Sequence, residues 1–415
     1  MSVDNKAPEI RFEGFSGEWV ENNLGELIDI KSAARVHKEQ WTETGVPFFR
    51  TSDVVSIYKG QKNTKAYISH EVYNGLSEKI GKVAKDDLLI TGGGSIGIPY
   101  LVPNDNPLYF KDADLLWLKN NKKFNGYFLY TFFFSECFKK HIKSISHTGT
   151  IAHYTIEQAK ATPINTCNDE EQTQIGNYFQ KLDGLINQHQ QKHDKLSNIK
   201  KAMLEKMFPK EGETIPEIRF KGFNGEWDYL VLGENAKFTK GQGYSKGDLV
   251  TSGSPIILYG RLYTKYQTVI NSVDTFVIER NKSVKSIGGE VIVPASGESP
   301  EDISRASVIS EPDIIIGGDL NIVSPSKKIH PIFLALVISN GHLKKELSSK
   351  AQGKSVVHIR NSDLADLELI LPTEYVEQTA ISNYFEKLDA LLNQHQQQIT
   401  KLNNIKQACL SKMFV

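Results

Sequence analysis

Residues 171–208 read EQTQIGNYFQKLDGLINQHQQKHDKLSNIKKAMLEKMF, and residues 377–414 read EQTAISNYFEKLDALLNQHQQQITKLNNIKQACLSKMF. The two stretches start 377 − 171 = 206 residues apart in a chain of 415, and about two-thirds of their paired positions are identical. No proline interrupts either stretch, and Gly184 of the first is replaced in the second by Ala390, a better helix former. A repeat at about half the chain length indicates a two-part architecture.

Apolar side chains recur in both stretches at alternating spacings of four and three residues, the a/d pattern of a coiled-coil seam. Each predicted helix is about 57 Å long at 1.5 Å per residue. Two such helices in one chain bury their seams most simply against each other. The seam residues that we expect to form this scaffold are Phe179, Leu182, Ile186 and Leu196 in the first helix, and Phe385, Leu388, Leu392 and Leu402 in the second.

A second repeated phrase opens each half of the chain. Residues 8–19 read PEIRFEGFSGEW, and residues 216–227 read PEIRFKGFNGEW. The aromatic residues of this phrase predict a clasp that packs a loop onto the same kind of surface in both halves. Each half therefore begins with one repeated segment and ends with another.

The bodies between these segments share the order of their elements but little sequence. Short apolar runs punctuated by Gly, Pro and Asn predict strands in both. These runs are VPFFR (46–50), DLLIT (87–91) and ADLLWL (113–118) in the first body, and PIILYG (255–260) and GEVIVPA (289–295) in the second. One helix is predicted after them in each body, over 127–142 and over 332–347. Similar helices with dissimilar bodies favour a scaffold that carries two distinct recognition modules.

These patterns predict an α+β protein with two α/β bodies joined by two long antiparallel coiled-coil helices, pseudo-two-fold and nearly circular in plan. The predicted divisions are a first body over 1–168, a first helix over 169–208, a linker and second body over 209–374, and a second helix over 375–415. Length alone predicts two to three domains. Two similar surfaces on such a scaffold predict two copies of one partner.

The composition is that of an ordinary globular protein, with 39% hydrophobic and 24% charged residues. The formal net charge is zero, which counts mildly against a free-standing nucleic-acid binder and less against one subunit of an assembly. The three cysteines form no CxxC pair, so they predict neither a zinc site nor a disulfide framework. We expect a cytoplasmic protein without a signal peptide or a membrane span.

Three motifs match enzyme signatures only in part. Gly92 to Gly97, GGGSIG, satisfies GxGxxG, but the extended segment IPYLVP follows it where a dinucleotide site needs a helix. Asn106 to Tyr109, NPLY, lacks the second proline of the amino-methyltransferase motif. Gly353 to Ser355, GKS, lacks the first glycine of a phosphate loop. We therefore predict no catalytic site and no metal site in this chain.

Two histidines occupy matching positions, His153 and His358, 205 residues apart. A lone histidine is more often a hydrogen-bonded turn residue than a ligand or a base, although it can contact a phosphate or a nucleic-acid base. The lysines near 122–123 and 139–143 form a solvated face by default. On a nucleic-acid-binding domain, the same lysines would contact phosphates.

The combination of repeated helices, repeated opening phrases and two dissimilar bodies resembles the specificity subunits of type I restriction-modification systems over essentially the whole chain. The resemblance is carried by the half-chain repeat, by Pro163 before Glu171-Gln172, by Pro372 before Glu377-Gln378, and by the NYFxKLD phrase in each helix. The segments DDLLITGGGSIG (86–97) and HTGTIAHYTIEQ (147–158) also resemble phrases of this family's target-recognition domains. Their counterparts VIVPASGESPED (291–302) and AQGKSVVHIRNSDL (351–364) are more divergent.

The resemblance implies a non-catalytic subunit in which each body is a target-recognition domain for one half of a bipartite double-stranded DNA target. The helix pair would set the spacer and carry two modification (methyltransferase) subunits, with two restriction (translocase and nuclease) subunits where restriction accompanies modification. This chain would bind no cofactor. S-adenosylmethionine, ATP and Mg would be held by the partner subunits.

Base reading in the major groove requires loop side chains with donors and acceptors. The residues predicted to bind DNA in the first body are Arg50, Thr51, Ser52, Asp53, Gly93, Gly94, Ser95, Thr148, Thr150 and His153. Those in the second body are Tyr259, Arg261, Ser296, Glu298, Ser299, Lys354, Ser355 and His358. Arg261 could pair with guanine through two hydrogen bonds, and so could Arg50 unless an ion pair holds it.

Two other classes of function stay open at this point. One is an adaptor with two heads on a coiled coil that binds two different proteins and no DNA, which the zero net charge favours slightly. The other is an enzyme with a site across both bodies, which would need a catalytic set of residues that the sequence does not reveal. A DNA-binding assay with a co-expressed methyltransferase would separate these classes.

Overall fold

A computed structural model of the chain describes residues 6–145, 153–351 and 357–415. The chain divides into two compact units. Unit 1 consists of Met1–His189 and Gln398–Val415, and unit 2 consists of Gln190–Gln397. Each of the two long helices contributes residues to both units.

The elements of the first half run in the following order. They are β1 (Val20–Asn23), α1 (Leu24–Leu27), β2 (Asp29–Lys31), β3 (Trp41–Thr42), β4 (Val46–Phe49), α2 (Thr51–Tyr58), β5 (Ala66–Ile68), α3 (His70–Ile80), β6 (Leu88–Thr91), β7 (Pro99–Leu101), β8 (Tyr109–Phe110), β9 (Leu115–Lys119), α4 (Gly126–Phe132), α5 (Glu136–Ile145), α6 (Ile156–Lys160), β10 (Pro163–Thr166) and α7 (Asp169–Lys206).

The second half repeats this plan with more short elements. They are β11 (Asp228–Val231), α8 (Leu232–Asn235), β12 (Ala236–Lys240), β13 (Leu249–Val250), β14 (Ser254–Ile257), α9 (Arg261–Thr264), β15 (Val269–Ile270), β16 (Phe276–Val277), β17 (Glu290–Pro294), β18 (Ser296–Gly297), α10 (Pro300–Ile303), β19 (Ser307–Ile309), β20 (Ile315–Ile316), β21 (Leu320–Pro325), α11 (Pro331–Ser339), α12 (Gly341–Lys350), β22 (Val357–His358), α13 (Asn361–Ala365), β23 (Glu368–Leu371) and α14 (Tyr375–Lys412).

The main sheet of each unit has the same antiparallel centre. In unit 1 the strand order is β2-β9-β6-β7, and in unit 2 it is β12-β21-β17-β19-β15. The central strands β6 and β17 are buried along their whole length. This fits the continuous apolar runs from which they were predicted. A second small sheet in each unit contains one parallel pair, β4 with β8 and β14 with β20.

The helix segments within each unit run antiparallel, as predicted. In unit 1 Lys406 Nζ lies 2.5 Å from Asp183 Oδ1, and Cys409 Sγ lies 3.7 Å from the Tyr178 hydroxyl, so residue numbers rise in one helix as they fall in the other. Unit 2 contains the equivalent ion pair between Lys200 and Asp389. The two ion pairs are related by the 206-residue repeat.

The predicted seam residues divide into two groups. Phe179, Leu182, Phe385 and Leu388 are buried in the cores of their units, and Leu196 and Leu402 pack against those cores. Ile186 and Leu392, nearer the middle of the helices, are only half-buried. The seam is therefore closed best where a body covers the helix pair.

The repeated clasp holds each body to its helices through a buried ion pair. Arg11 donates to both carboxylate oxygens of Glu171 at 2.6 and 2.7 Å, and Arg219 makes the same two bonds to Glu377. The side chain of Glu171 is completely buried. The following glutamine accepts a hydrogen bond from the backbone of the body: Gln172 from Asn125 N at 3.3 Å and Gln378 from His330 N at 2.9 Å.

The predicted single helix after the strands is wrong in both units, because each contains a break. In unit 1 α4 ends at Phe132 and α5 begins at Glu136, with the Ser135 hydroxyl accepting from Phe138 N at 3.3 Å. In unit 2 α11 ends at Ser339 and α12 begins at Gly341, whose φ of 63° is a conformation that favours glycine. Both breaks coincide with residue types that start or end helices.

Candidate nucleic-acid interface

In unit 1 three strands bring their loops to one end of the main sheet. β2 ends at Lys31 and β6 ends at Thr91, while β9 begins at Leu115. Lys31 pairs with Trp117 and Thr91 pairs with Leu115, both antiparallel. The segments after β2 and β6 and the segment before β9 therefore emerge together.

Two pairs of residues meet at this end beside the backbone of Gly92, and we call them together edge cluster 1: Thr51 with Asp114, and Gly93 with His153. The Asp114 carbonyl accepts from Thr51 Oγ1 at 3.2 Å and from the neighbouring Gly92 N at 2.9 Å. Gly93 and His153 face each other in an antiparallel bridge. The sequence prediction that placed the 93–95 turn and His153 at one site is compatible with this geometry.

Unit 2 builds the same arrangement, which we call edge cluster 2: Tyr263, Ser296, Asp319 and His358. Ser296 pairs with His358 across β18 and β22. The Ser296 hydroxyl lies 3.0 Å from His358 Nδ1 and 3.3 Å from Asp319 Oδ1. The Tyr263 hydroxyl donates to the Ser296 carbonyl at 2.6 Å, and burial raises the pKa of Tyr263 well above its usual range.

Three positions of the two clusters correspond, whereas Thr51 and Tyr263 have no equivalent in the other cluster. Asp319 lies 319 − 114 = 205 residues after Asp114, as His358 does after His153. The backbone bonds match as well, since Ala295 N donates to the Asp319 carbonyl at 2.8 Å as Gly92 N does to that of Asp114. The clusters differ where Gly93 stands in place of Ser296. A Cβ atom on Gly93 would lie 3.8 Å from both Asp114 Oδ1 and His153 Nδ1.

The predicted residues at the start of α2 are engaged within the protein. Arg50 Nε donates to Asp53 Oδ2 at 2.8 Å, and the guanidinium also bonds to the Thr64 carbonyl. Asp53 is buried and accepts a further bond from Asn63 Nδ2 at 2.8 Å. Ser52 Oγ accepts from the same amide at 3.1 Å. An ion pair therefore holds Arg50, so its guanidinium is not free to pair with guanine in this structure.

Arg261, the predicted reader of the second body, is also paired. Its side chain is only 9% exposed and donates to Asp274 Oδ1 at 2.7 Å and to Gln267 Oε1 at 2.9 Å. Hydrogen bonds from Lys265 and then from Arg261 lower the pKa of Asp274 to about 2. Tyr259 is exposed and lies edge-on to Tyr263, with ring centroids 5.9 Å apart.

The remaining predicted residues have simpler surroundings. Gly94 has a φ of 71°, and the Ser95 carbonyl accepts from Thr91 Oγ1 at 2.5 Å. Glu298 is exposed, and Ser299 caps α10 by accepting from Asp302 N at 3.2 Å. Thr148, Thr150, Lys354 and Ser355 lie outside the residues that the structure describes.

Three cluster residues were absent from the sequence prediction: Asp114, Asp319 and Tyr263. A signal for the two aspartates was present, because each precedes an apolar strand at matching positions of the two halves. Carboxylates can accept a hydrogen bond from cytosine N4 in the major groove. No such signal marks Tyr263, because its role depends on a hydrogen bond to Ser296, 33 residues away in the sequence.

Two further properties of the described residues bear on chemistry. Across 6–145, 153–351 and 357–415, no three His, Cys, Asp or Glu side chains lie together in a way that could hold a metal ion. None of the helices in these ranges combines the length and apolar character needed to span a bilayer.

Comparisons with known proteins agree with the two-unit organisation. The family model for the type I restriction modification DNA specificity domain matches residues 16–198 and 224–404. The type I restriction enzyme MjaVIII specificity subunit of Methanocaldococcus jannaschii is 21% identical over 404 residues, covering 88% of this chain and 91% of that protein. A putative type I restriction enzyme specificity subunit of Haemophilus influenzae is 28% identical over 167 residues, which is 40% of each chain.

A solved structure shares the fold over nearly the full length. The crystal structure of a type I restriction-modification S subunit from M. genitalium matches with a TM-score of 0.66 and 15% identity, covering 99% of both chains. The predicted fold class and family are thereby confirmed. Since the family model matches both halves, the chain belongs to the type I restriction-modification DNA specificity family: it is a specificity subunit with two DNA specificity domains.

Proposed function

We propose that each unit reads one half of a bipartite double-stranded DNA target through its edge cluster. The observation that carries this proposal is the pair of clusters, built on the same backbone hydrogen bonds at the same end of each main sheet. Their side chains differ, because Gly93 in one corresponds to Ser296 in the other. A common framework with different exposed donors and acceptors is suited to reading two different base sequences.

The two histidines have a defined place in this proposal. His153 and His358 are exposed at the strand ends, and His358 is oriented by Ser296 at 3.0 Å. A ring nitrogen fixed in this way can contact a base edge or a phosphate. The exposed aspartate of cluster 2 and the half-exposed aspartate of cluster 1 add acceptors for base amino groups.

The helices are proposed to serve as the spacer element and as the docking surface for partners. Each helix segment is fixed to its own body by a buried arginine–glutamate pair and by an aspartate that accepts a hydroxyl from the body: Asp183 from Tyr127 at 2.7 Å and Asp389 from Thr268 at 2.9 Å. Rigid attachment of this kind would transmit helix length into the distance between half-targets. Two equivalent surfaces would receive two modification subunits.

The partner subunits would supply the chemistry in this proposal. S-adenosylmethionine would be bound by the modification subunits, and ATP and Mg by two restriction subunits where these accompany them. The present chain would bind no cofactor and would act in the cytoplasm, where such an assembly meets DNA. Calorimetry of the purified chain with S-adenosylmethionine should accordingly give no stoichiometric binding heat.

Selection from randomised DNA tests the reading function directly. The chain is co-purified with its methyltransferase partner and mixed with duplexes that contain a random central region. We expect enrichment of two short conserved sequences separated by a spacer of fixed length. Enrichment of a single continuous sequence would contradict division of the target between the units, and absence of any enrichment would favour the adaptor function.

A second experiment tests the independence of the units. Residues 20–165 are replaced by the corresponding residues of another specificity subunit, and the selected or methylated sequences are determined again. One half-target should change while the other half stays as it was. A change in both halves would show that the units do not read independently.

A further inference from the structure

The arginines of this chain fall into two groups according to their partners. Of the eight in the sequence, six form ion pairs with aspartate or glutamate: Arg11, Arg50, Arg219, Arg261, Arg280 and Arg305. The other two are Arg35 in unit 1 and Arg360 in unit 2. Their guanidinium groups make no ion pair or hydrogen bond with any residue in the described ranges, and both residues are exposed.

The undescribed segments nearest to the edge clusters in sequence offer no carboxylate to these two arginines. Residues 146–152 read SHTGTIA and residues 352–356 read QGKSV, neither of which contains Asp or Glu. Neither segment can therefore supply the acidic partner that Arg35 and Arg360 lack among the described residues.

Arg35 projects from a backbone that is anchored on both sides. The Tyr109 hydroxyl, on a side chain 1% exposed, bonds to both the N–H and the carbonyl of Ala34 at 3.1 Å. Val36, the next residue, is buried. Earlier in the same loop, Ser32 Oγ accepts from Ala113 N at 3.0 Å, beside Asp114 of edge cluster 1. The loop, which begins beside that cluster, therefore presents an exposed arginine from a fixed position.

Arg360 is presented in a comparable way beside edge cluster 2. It follows His358 by two residues in extended backbone, with φ −98° and ψ 160°, so the two exposed side chains lie on one side of the segment. Between them Ile359 is buried and its N–H donates to the Ala295 carbonyl at 3.1 Å. The Arg360 N–H donates to Asp363 Oδ2 at 2.7 Å, which fixes the backbone and leaves the guanidinium without a partner in the described chain.

We propose that Arg35 and Arg360 are the base-reading arginines of the two units, each donating two hydrogen bonds to a guanine in the half-target that its unit reads. This inference rests on the proposed function. The planar fork of a guanidinium matches guanine O6 and N7. An arginine held by a carboxylate must first break that pair to reach a base, whereas these two need not. Each has an anchored main chain and belongs to a segment that adjoins an edge cluster, and an anchored backbone is what precise reading requires.

A phosphate contact is the competing role for an exposed arginine, and lysine separates the two roles. Lysine keeps the charge that attracts phosphate but loses the bidentate fork. For a base reader, R35K and R35A should both lower discrimination at one position of one half-target by about 5- to 150-fold. For a phosphate contact, R35K should be close to silent. R35A should then weaken all sequences alike and reduce the salt dependence of binding.

The test uses the full chain with its methyltransferase partner in the selection from randomised DNA described above. Wild type is compared with R35K, R35A, R360K and R360A, and with R305K as a matched control whose guanidinium is paired with Asp302 at 3.0 Å. We expect each Arg35 variant to relax one guanine position in one half-target and each Arg360 variant to relax one in the other half. The R305K variant should keep both half-targets.

The outcomes distinguish this inference from the function on which it rests. If wild type selects two half-targets and all four variants keep every base preference, base reading by these arginines is wrong while the function stands. Uniform weakening by the alanine variants alone assigns the arginines to phosphates and also overturns the inference. If wild type selects no bipartite sequence, both the function and the inference fail. Circular dichroism and melting of each variant verify that folding is unchanged, as expected for Arg35 and Arg360, whose guanidinium groups have no partner among the described residues.

Discussion

Two glycines in the first-unit part of α7 should respond in opposite directions to the same substitution. Gly176 lies against the body, where an added Cβ atom would be 2.2 Å from Asn125 Oδ1 and 3.1 Å from Phe128 N. Gly184, eight residues later on the same helix, has no atom within 4 Å of such a position. The pair therefore separates the cost of close packing from the intrinsic gain of replacing glycine in a helix.

The expected magnitudes follow from these contacts. G184A should stabilise unit 1 by about 1 kcal/mol, because alanine is the better helix former. G176A has the same gain but forces Asn125 to move. That movement adds an overpacking cost of about 1–3 kcal/mol. It also breaks the cap in which Asn125 Oδ1 accepts from Tyr127 N and Phe128 N, worth about 1 kcal/mol. The net effect is a loss of about 1–3 kcal/mol.

These changes in the stability of unit 1 are measured by urea unfolding, with hydrogen exchange of the buried amides in β6 and β9 as the readout. Exchange is preferable to a single optical signal, since a chain with two units need not unfold in one step. Unit 2 supplies a control, because its equivalent residues are His330 and Ser382, whose side chains lie 3.0 Å apart. The double variant N125H/G176S should thus recover part of the loss. Equal stabilisation by G176A and G184A would refute the assigned close approach.

Three other predictions concern the ion pairs, a buried histidine and the helix length. E171Q should lower the free energy of unfolding of unit 1 by about 3 kcal/mol, because Arg11 loses its buried carboxylate, whereas E170Q on the exposed face should change it little. Burial lowers the pKa of His330, so unit 2 should lose stability as the pH falls from the pKa of an unfolded histidine, about 6.5, towards the lower pKa of the folded state. The variant H330N/S382G should flatten this pH dependence in urea titrations between pH 5 and 8. Inserting four residues after Gln191 should lengthen α7 by about 6 Å and the preferred spacer by about one or two base pairs, with both half-targets unchanged in a methylation map.

The sequence predicted those elements that local patterns determine. The 206-residue repeat and the heptads located α7 and α14, and the apolar runs located the central strands β6 and β17. The helix breaks were missed because the apolar pattern continues across them, although Ser135 and Gly341 were visible signals. Single residues that start or end helices override an apolar periodicity at both breaks.

The site was predictable only in part, because side-chain pairing is a long-range property. The turn at 93–95 and the two histidines could be named from their matching positions in the halves. The engagement of Arg261 with Asp274, 13 residues away, and the contact of Ser296 with His358, 62 residues away, could not. For the same reason, sequence reasoning favours two arginines that are paired in the structure, Arg50 and Arg261, over the two that we propose as readers.

The residues that are identical in the two halves are concentrated where each body is attached to its helices, and the attachment itself explains why. The residues that are identical in both halves include the buried Glu171 and Glu377, with their arginine partners, and the two glutamines that follow them. Replacing one member of such a pair leaves a buried charge or donor unsatisfied, so these positions tolerate little change. The partly exposed positions of the edge clusters bury no charge and face a smaller penalty, as the exchange of Gly93 for Ser296 illustrates. One attachment can therefore carry bodies with different reading surfaces, provided that each keeps the arginine and the backbone N–H that the helix requires.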